Sequence, residues 1–140
     1  MQPGPFIGYT NPAWGNIDEV TASDSDYIAA SAAANDESIY TLSDVSDPGT
    51  GSNHMFRLRA KYSAFMSAPI FSVKIYDGTT LITTKSFTLT SSYEEYSSML
   101  TSGEANSITD YTNLRVGFYV GFGDWIDEVR VSWFEFEVPS

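Results

Sequence analysis

Phe56-Arg57-Leu58-Arg59-Ala60-Lys61-Tyr62 alternates apolar and basic residues without a break. A period of two places Phe56, Leu58, Ala60 and Tyr62 on one face of an extended chain and the three bases on the other. A helix would scatter both sets around its circumference, so the stretch reads as a β-strand with one buried face. The pattern recurs downstream. Phe71, Val73 and Ile75 alternate with Ser72, Lys74 and Tyr76, and Leu114, Val116, Phe118 and Val120 alternate with Arg115, Gly117, Tyr119 and Gly121. Tyr76-Asp77-Gly78-Thr79 supplies the Asp-Gly turn of a hairpin. Its return strand is expected over residues 80–90, ending in Phe87 and Leu89, with a further strand over about 94–101.

Upstream, the strand candidates Asp26-Tyr27-Ile28-Ala29 and Ser38-Ile39-Tyr40-Thr41-Leu42 are shorter and separated by polar turns. The clearest turn is Ser46-Asp47-Pro48-Gly49-Thr50-Gly51. Residues 29–34 are Ala-rich but short, uncapped and interrupted by Ser31, and read as a loop. Residues 103–111 have room for one helical turn where the long crossover of a jelly roll would fall. The last strand changes phase. Val129, Val131 and Trp133 share one parity, whereas Phe134, Phe136 and Val138 take the other. A one-residue slip exchanges the faces of a strand. A β-bulge near Trp133-Phe134 would turn the second set inward again; without one, Phe134 and Phe136 would emerge outward and meet another chain.

Eight or so short strands, regular turns and no long helix predict an all-β fold, a two-sheet antiparallel jelly-roll sandwich over residues 14–140. Residues 1–13 form an extended N-terminal arm, because Pro3, Pro5 and Pro12 exclude helix and central strand. Phe6, Ile7, Tyr9 and Trp14 make this arm apolar. It either lies across its own sandwich or docks on a partner, and these four residues, with Phe134 and Phe136, are the candidate partner contacts.

Composition limits the chemistry. The chain has 140 residues, no Cys and a single histidine, His54. Thiol nucleophiles and Cys-based zinc sites are excluded, and a Ser-His-Asp triad would have to use His54, expected at the surface beside a turn. No Gly-x-Ser-x-Gly elbow is present. Asp124, Asp127 and Glu128, or Glu94 and Glu95, could pair as glycosidase carboxylates, but acidic loops are common at a net charge of −11. No catalytic residue, and so no enzyme, is expected. The same charge excludes nucleic-acid binding through phosphate neutralisation. No stretch is long and apolar enough to predict a membrane span, and residues 1–20 lack the pattern of a signal peptide. Asp18, Glu19, Asp24, Asp26 and Asp36 could gather around Ca²⁺, though their spacing is not that of an EF-hand, and no other cofactor is expected. Arg57, Arg59, Lys61, Lys74, Arg115 and Arg130 all fall on outward positions, where cross-strand pairing with acids is the ordinary outcome. Tyr119, Phe122, Trp125 and Ile126 crowd a Gly-rich loop, where aromatics can close the core or stack on a sugar.

Several segments carry a family likeness: Trp14-Gly15-Asn16-Ile17-Asp18-Glu19, Ser23-Asp24-Ser25-Asp26-Tyr27-Ile28, residues 42–49, Tyr76-Asp77-Gly78-Thr79-Thr80-Leu81-Ile82 and residues 129–139. In this order they resemble a small jelly-roll domain of bacteriophage structural proteins. That resemblance implies a capsid decoration (cement) protein on the virion exterior. It would be made in the host cytoplasm, bind the major capsid protein through the N-terminal arm and bridge neighbouring subunits as a homotrimer. The competing expectations are a carbohydrate-binding module, with Trp125 and Tyr119 stacking on glycan and Asp residues holding Ca²⁺, and a tail or fibre accessory domain.

Overall fold

In the computed structural model, the alternation of residues 56–62 becomes a strand running Met55–Ser63, with Phe56, Leu58 and Ala60 fully buried. The structure describes residues 7–8, 27–31, 36–63, 70–121 and 128–139. Within these the order is β1 (Ile7–Gly8), β2 (Ile28–Ser31), β3 (Asp36–Thr41), β4 (Met55–Ser63), β5 (Ile70–Asp77), β6 (Thr80–Phe87), β7 (Glu94–Met99), α1 (Ser102–Asn106), β8 (Leu114–Gly121) and β9 (Glu128–Glu137). The strands form two antiparallel sheets, β1-β2-β9-β4-β7 and β3-β8-β5-β6. This is the all-β jelly-roll sandwich expected from the alternation.

The core lies between the sheets. Phe56, Leu58, Val129 and Val131 from one meet Phe71, Val73, Ile75, Val116 and Phe118 from the other, all with no solvent exposure. Phe134 joins the layers: its ring stacks on Phe56 at 5.8 Å and meets Phe118 edge-on at 5.6 Å. Offset and edge-on contacts at this spacing are the favoured aromatic geometries.

The phase change in β9 is a bulge, one residue earlier than expected. Arg59 pairs with Trp133 and Ala60 with Val131, which leaves Ser132 without an opposite residue. Val129 and Val131 therefore point inward, and Phe134 and Phe136 regain the inward side. Trp133, expected inward, shares the outward side with its partner Arg59. This corrects the candidate contacts at the C-terminus. Phe134 is only 6% exposed and belongs to its own core, and Phe136 packs against that core from its edge. Phe134 is thereby occupied by intramolecular packing, whereas Phe136 stays partly exposed.

Three further expectations change. The strand expected over Asp26-Tyr27-Ile28-Ala29 appears as β2 and runs on through Ala30 and Ser31, which belong to the Ala-rich stretch read as loop. The β5–β6 hairpin closes at Asp77 and Thr80, so its loop is Gly78-Thr79, and only Gly78 takes a positive φ of 61°. His54 is fully buried, not at the surface. Of the arm, Ile7 and Gly8 pair with Ala29 and Ile28, so at these two residues the backbone belongs to its own sheet. Phe6, Tyr9 and Trp14 lie outside the described residues, as do Asp18, Glu19, Asp24, Asp26, Phe122, Asp124, Trp125, Ile126 and Asp127. Among the described residues, no helix is long and apolar enough to cross a membrane.

The predicted helical turn is α1, at the crossover between the two sheets. Thr101 caps it: its hydroxyl accepts from the Glu104 amide at 3.1 Å, and the Glu104 carboxylate accepts from the Thr101 amide at 2.8 Å. Glu104 also receives Lys85 of β6 at 3.2 Å. The one basic side chain on the inward side of β6 is thereby neutralised by the helix that covers it.

Candidate functional site

Alternation gives each sheet an outer face, and the two faces differ. On the five-stranded sheet, the outward bases pair with their neighbours. Arg57 meets Glu137 at 3.4 Å and Arg130 contacts Glu128. The aromatic rings are covered by cations: Arg130 lies 4.6 Å from the Tyr27 centroid, and Arg59 and Lys61 lie 5.9 and 5.4 Å from that of Tyr93. Trp133 is 9% exposed. Tyr27 and Tyr93 remain partly exposed beneath these cations. The six outward bases are thus divided, with Arg57, Arg59, Lys61 and Arg130 on this sheet and Lys74 and Arg115 on the other.

The four-stranded sheet carries a different cluster. Its central strands β8 and β5 bring Gly117 opposite Lys74, Arg115 opposite Tyr76, and Tyr119 opposite Ser72. On the other side of β8, Glu37 of β3 pairs with Tyr119 and Ile39 with Gly117. The missing side chain at Gly117 is essential to the arrangement. A Cβ there would stand 2.4 Å from Glu37 Oε2 and 3.1 Å from Tyr76 Cε2. The glycine therefore provides a floor across which the Tyr76 ring and the Glu37 carboxylate reach each other. The Tyr76 hydroxyl donates to Glu37 Oε2 at 2.6 Å, and Lys74 donates to Oε1 at 2.9 Å. Burial, and then the Glu37 carboxylate as acceptor and negative charge, pushes the Tyr76 phenol well above its ordinary value. Tyr76 thus stays a hydrogen-bond donor throughout the neutral range. Lys74 also lies 5.5 Å from the Tyr119 ring centroid, a cation–π contact like that of Lys61 with Tyr93. Both tyrosines remain partly exposed. The face thus offers two aromatic rings, fixed donors and acceptors, and the hydroxyls of Ser72 and Ser86, which hydrogen-bond to each other at 2.9 Å.

Two grooves lie where residues 42–47 cross one end of the sandwich. One, of about 190 Å³, is lined by Leu42, Val45, Leu114, Phe134 and Phe136 with Ser43 and Glu135. The second, shallower, is lined by Asp44, Asp47 and Asp110 with the turn 109–112. Asp77 holds that turn, accepting from the Thr109 amide and hydroxyl at 2.8 and 2.9 Å and the Asp110 amide at 3.2 Å. Among the described residues, no three acidic or histidine side chains gather to hold a metal. His54 anchors the same end. Its Nδ1 lies 3.0 Å from the Ser52 carbonyl and its Nε2 2.7 Å from the Tyr111 hydroxyl. A carbonyl accepts only, so Nδ1 carries the proton and Nε2 accepts from Tyr111. Both nitrogens are engaged in holding the turn.

No family model and no curated protein matches the chain. Solved structures do. The CBM36-1 domain of a multidomain xylanase, from the hindgut metagenome of Trinervitermes trinervoides, superposes with a TM-score of 0.54 at 19% identity, over 100% of this chain and 92% of its own. A CBM4 module gives 0.54 at 12% identity, over 95% of each chain. A carbohydrate-binding module CBM36, solved with calcium and xylotriose, gives 0.52 at 17% identity, over 94% of this chain and 98% of its own.

The fold is that of the carbohydrate-binding β-sandwich modules. This corrects the kinship expected from the sequence. The architecture shared along nearly the whole chain is not specific to phage decoration domains, and turn and strand motifs alone had carried that resemblance. Capsid bridging, the major capsid protein as partner and the homotrimer were implied by the resemblance only, and they fall with it. Tyr119, read from the sequence as a sugar-stacking residue, lies on the open sheet face. Tyr76 was missed. Its signal in the sequence was limited to an outward position by alternation, since the pairing of its strand with that of Gly117 is not encoded there.

Proposed function

We propose that the domain is a non-catalytic carbohydrate-binding module whose ligand lies on the outer face of the four-stranded sheet. One observation carries this: Tyr76 and Tyr119 stand partly exposed beside the side-chain-free floor at Gly117, with Glu37 and Lys74 fixed next to them. Sugar rings combine an apolar C–H face with a hydroxyl rim. An aromatic ring suits the first, and a carboxylate–ammonium pair with both donor and acceptor capacity suits the second. The pair is preorganised, so little side-chain freedom is lost on binding. The fold shared with modules described as carbohydrate-binding supports the proposal, and the xylotriose complex of one of them suggests xylo-oligosaccharides as the first ligands to try. His54 supports the absence of catalysis, since both of its nitrogens are committed to Ser52 and Tyr111.

Titration calorimetry with xylotriose and longer xylo-oligosaccharides tests the proposal. Saturable binding is expected, weakened about tenfold or more by Tyr119→Ala and by Tyr76→Ala. Absence of binding across a broad oligosaccharide panel would exclude it, and binding indifferent to both substitutions would exclude this face.

A further inference from the structure

The same sheet face departs from the charge balance of the rest of the molecule. The chain carries a net charge of −11. On the outward positions of the described β3, β5, β6 and β8, however, one acid, Glu37, faces two bases, Lys74 and Arg115. Glu37 is already engaged at both oxygens, by Lys74 and by Tyr76. Arg115 is left over. Elsewhere among the described residues, Arg57, Arg130 and Lys85 each meet an acid and Arg59 and Lys61 lie against the Tyr93 ring, whereas neither an acid nor a ring pairs with Arg115. Its Nε is buried and has no hydrogen-bond acceptor. A guanidinium cannot shed its proton, so Arg115 stays a cation on this face with no acid of the described chain to neutralise it.

The position of Arg115 says which kind of ligand. It opposes Tyr76 across the β5–β8 ladder and Thr41 across the β3–β8 ladder. Tyr119 follows four residues later on the same side of β8, about 13 Å along the strand. An oligosaccharide lying along β8 over Tyr76 and Tyr119 therefore ends or branches at Arg115. A guanidinium fork fits a carboxylate in a bidentate manner, which no sugar hydroxyl can match.

We infer that the ligand is an acidic oligosaccharide: a largely neutral chain on the two tyrosines, bearing a uronic acid whose carboxylate is held by Arg115. This rests on the carbohydrate-binding proposal above and narrows it. The net charge sharpens the ligand further. A densely charged polyuronate would be repelled by the whole molecule, whereas one carboxylate per few sugars feels mainly its neighbours once salt screens charges beyond about 8 Å.

The test compares xylotriose with xylotriose bearing one glucuronic acid branch, by calorimetry on the intact chain and on Arg115→Gln, with thermal melts confirming that both are folded. The acidic ligand is expected to bind the native chain about tenfold more tightly than the neutral one, and the ratio to fall to about one in Arg115→Gln. Should that variant not fold, Arg115→Lys, which keeps the charge and loses the fork, is expected to show an intermediate ratio. Equal affinities in the native chain overturn the inference and leave the carbohydrate proposal standing. A preference that persists undiminished in the variant overturns the role of Arg115. Binding of neither sugar overturns the inference, and the broad oligosaccharide panel then decides the carbohydrate proposal separately.

Discussion

Gly117 shows how one residue sets the site. It needs no unusual backbone here; what matters is the space a side chain would take. A Cβ at this position would lie 2.4 Å from Glu37 Oε2, the end of a flexible side chain that can swing away. Gly117→Ala is therefore expected to cost little stability, about 1 kcal/mol, while displacing Glu37 from Lys74 and Tyr76. Oligosaccharide affinity should fall several-fold with a nearly unchanged urea midpoint, and an unaltered affinity would detach the Glu37 cluster from binding. His54 marks the opposite case, a residue whose place could not be read from its neighbours. Beside the turn 46–51 it suggested a surface position. It is buried because its two partners, Ser52 and the sequence-distant Tyr111, satisfy both ring nitrogens. A buried polar ring is tolerated when its hydrogen bonds are complete, and sequence alone does not show a partner 57 positions away.

At the level of elements, strands were legible because a half-buried sheet imposes a period of two, and Phe56, Leu58 and Ala60 display it. The bulge in β9 was legible as a change of parity but was placed too late. Ser132, the extra residue, is small and polar and adds nothing to the hydrophobic pattern. What alternation does not encode is which strands pair, so it could not divide the outward bases between two sheets or bring Tyr76 and Tyr119 onto one sheet face. The short helix α1 was legible only as a turn, since five residues are too few for an amphipathic pattern. Its stability comes from its cap. Burial alone would raise the Glu104 carboxyl, but the Thr83 and Thr101 groups and the Lys85 ammonium outweigh it and hold the value at about 2 instead of 4.5. A carboxylate lowered on folding stabilises the native state above its unfolded value and loses that contribution as pH falls through the folded one. Glu104→Ala should accordingly cost about 1–2 kcal/mol near pH 6. The gap to the native chain should narrow between about pH 4.5 and pH 2, as followed by urea unfolding at each pH. A gap constant across that range would mean that the charge of Glu104 contributes nothing.

For the molecule as a whole, the two outer faces divide the work. Both carry tyrosines and bases, and the composition of either could be taken for a binding surface. They differ in what the bases meet. On the five-stranded sheet, cations sit on the rings of Tyr27 and Tyr93 and acids neutralise Arg57 and Arg130, so the face is closed by its own side chains. On the four-stranded sheet, Lys74 likewise lies on the Tyr119 ring, but Tyr76 has no cation over it and the Arg115 guanidinium is left without an acid among the described residues. The division has a measurable consequence. Removing Tyr93 takes away the ring between Arg59 and Lys61, so Tyr93→Ala should lower stability by about 1–3 kcal/mol and leave oligosaccharide affinity within about twofold. Tyr119→Ala should do the reverse, with a small change in the unfolding midpoint and a loss of binding of about tenfold. Measured side by side, by denaturant unfolding and calorimetry, the two substitutions separate folding from recognition. If Tyr93→Ala abolished binding while Tyr119→Ala did not, the ligand would lie on the five-stranded sheet, and the guanidinium left open at Arg115 would need another explanation.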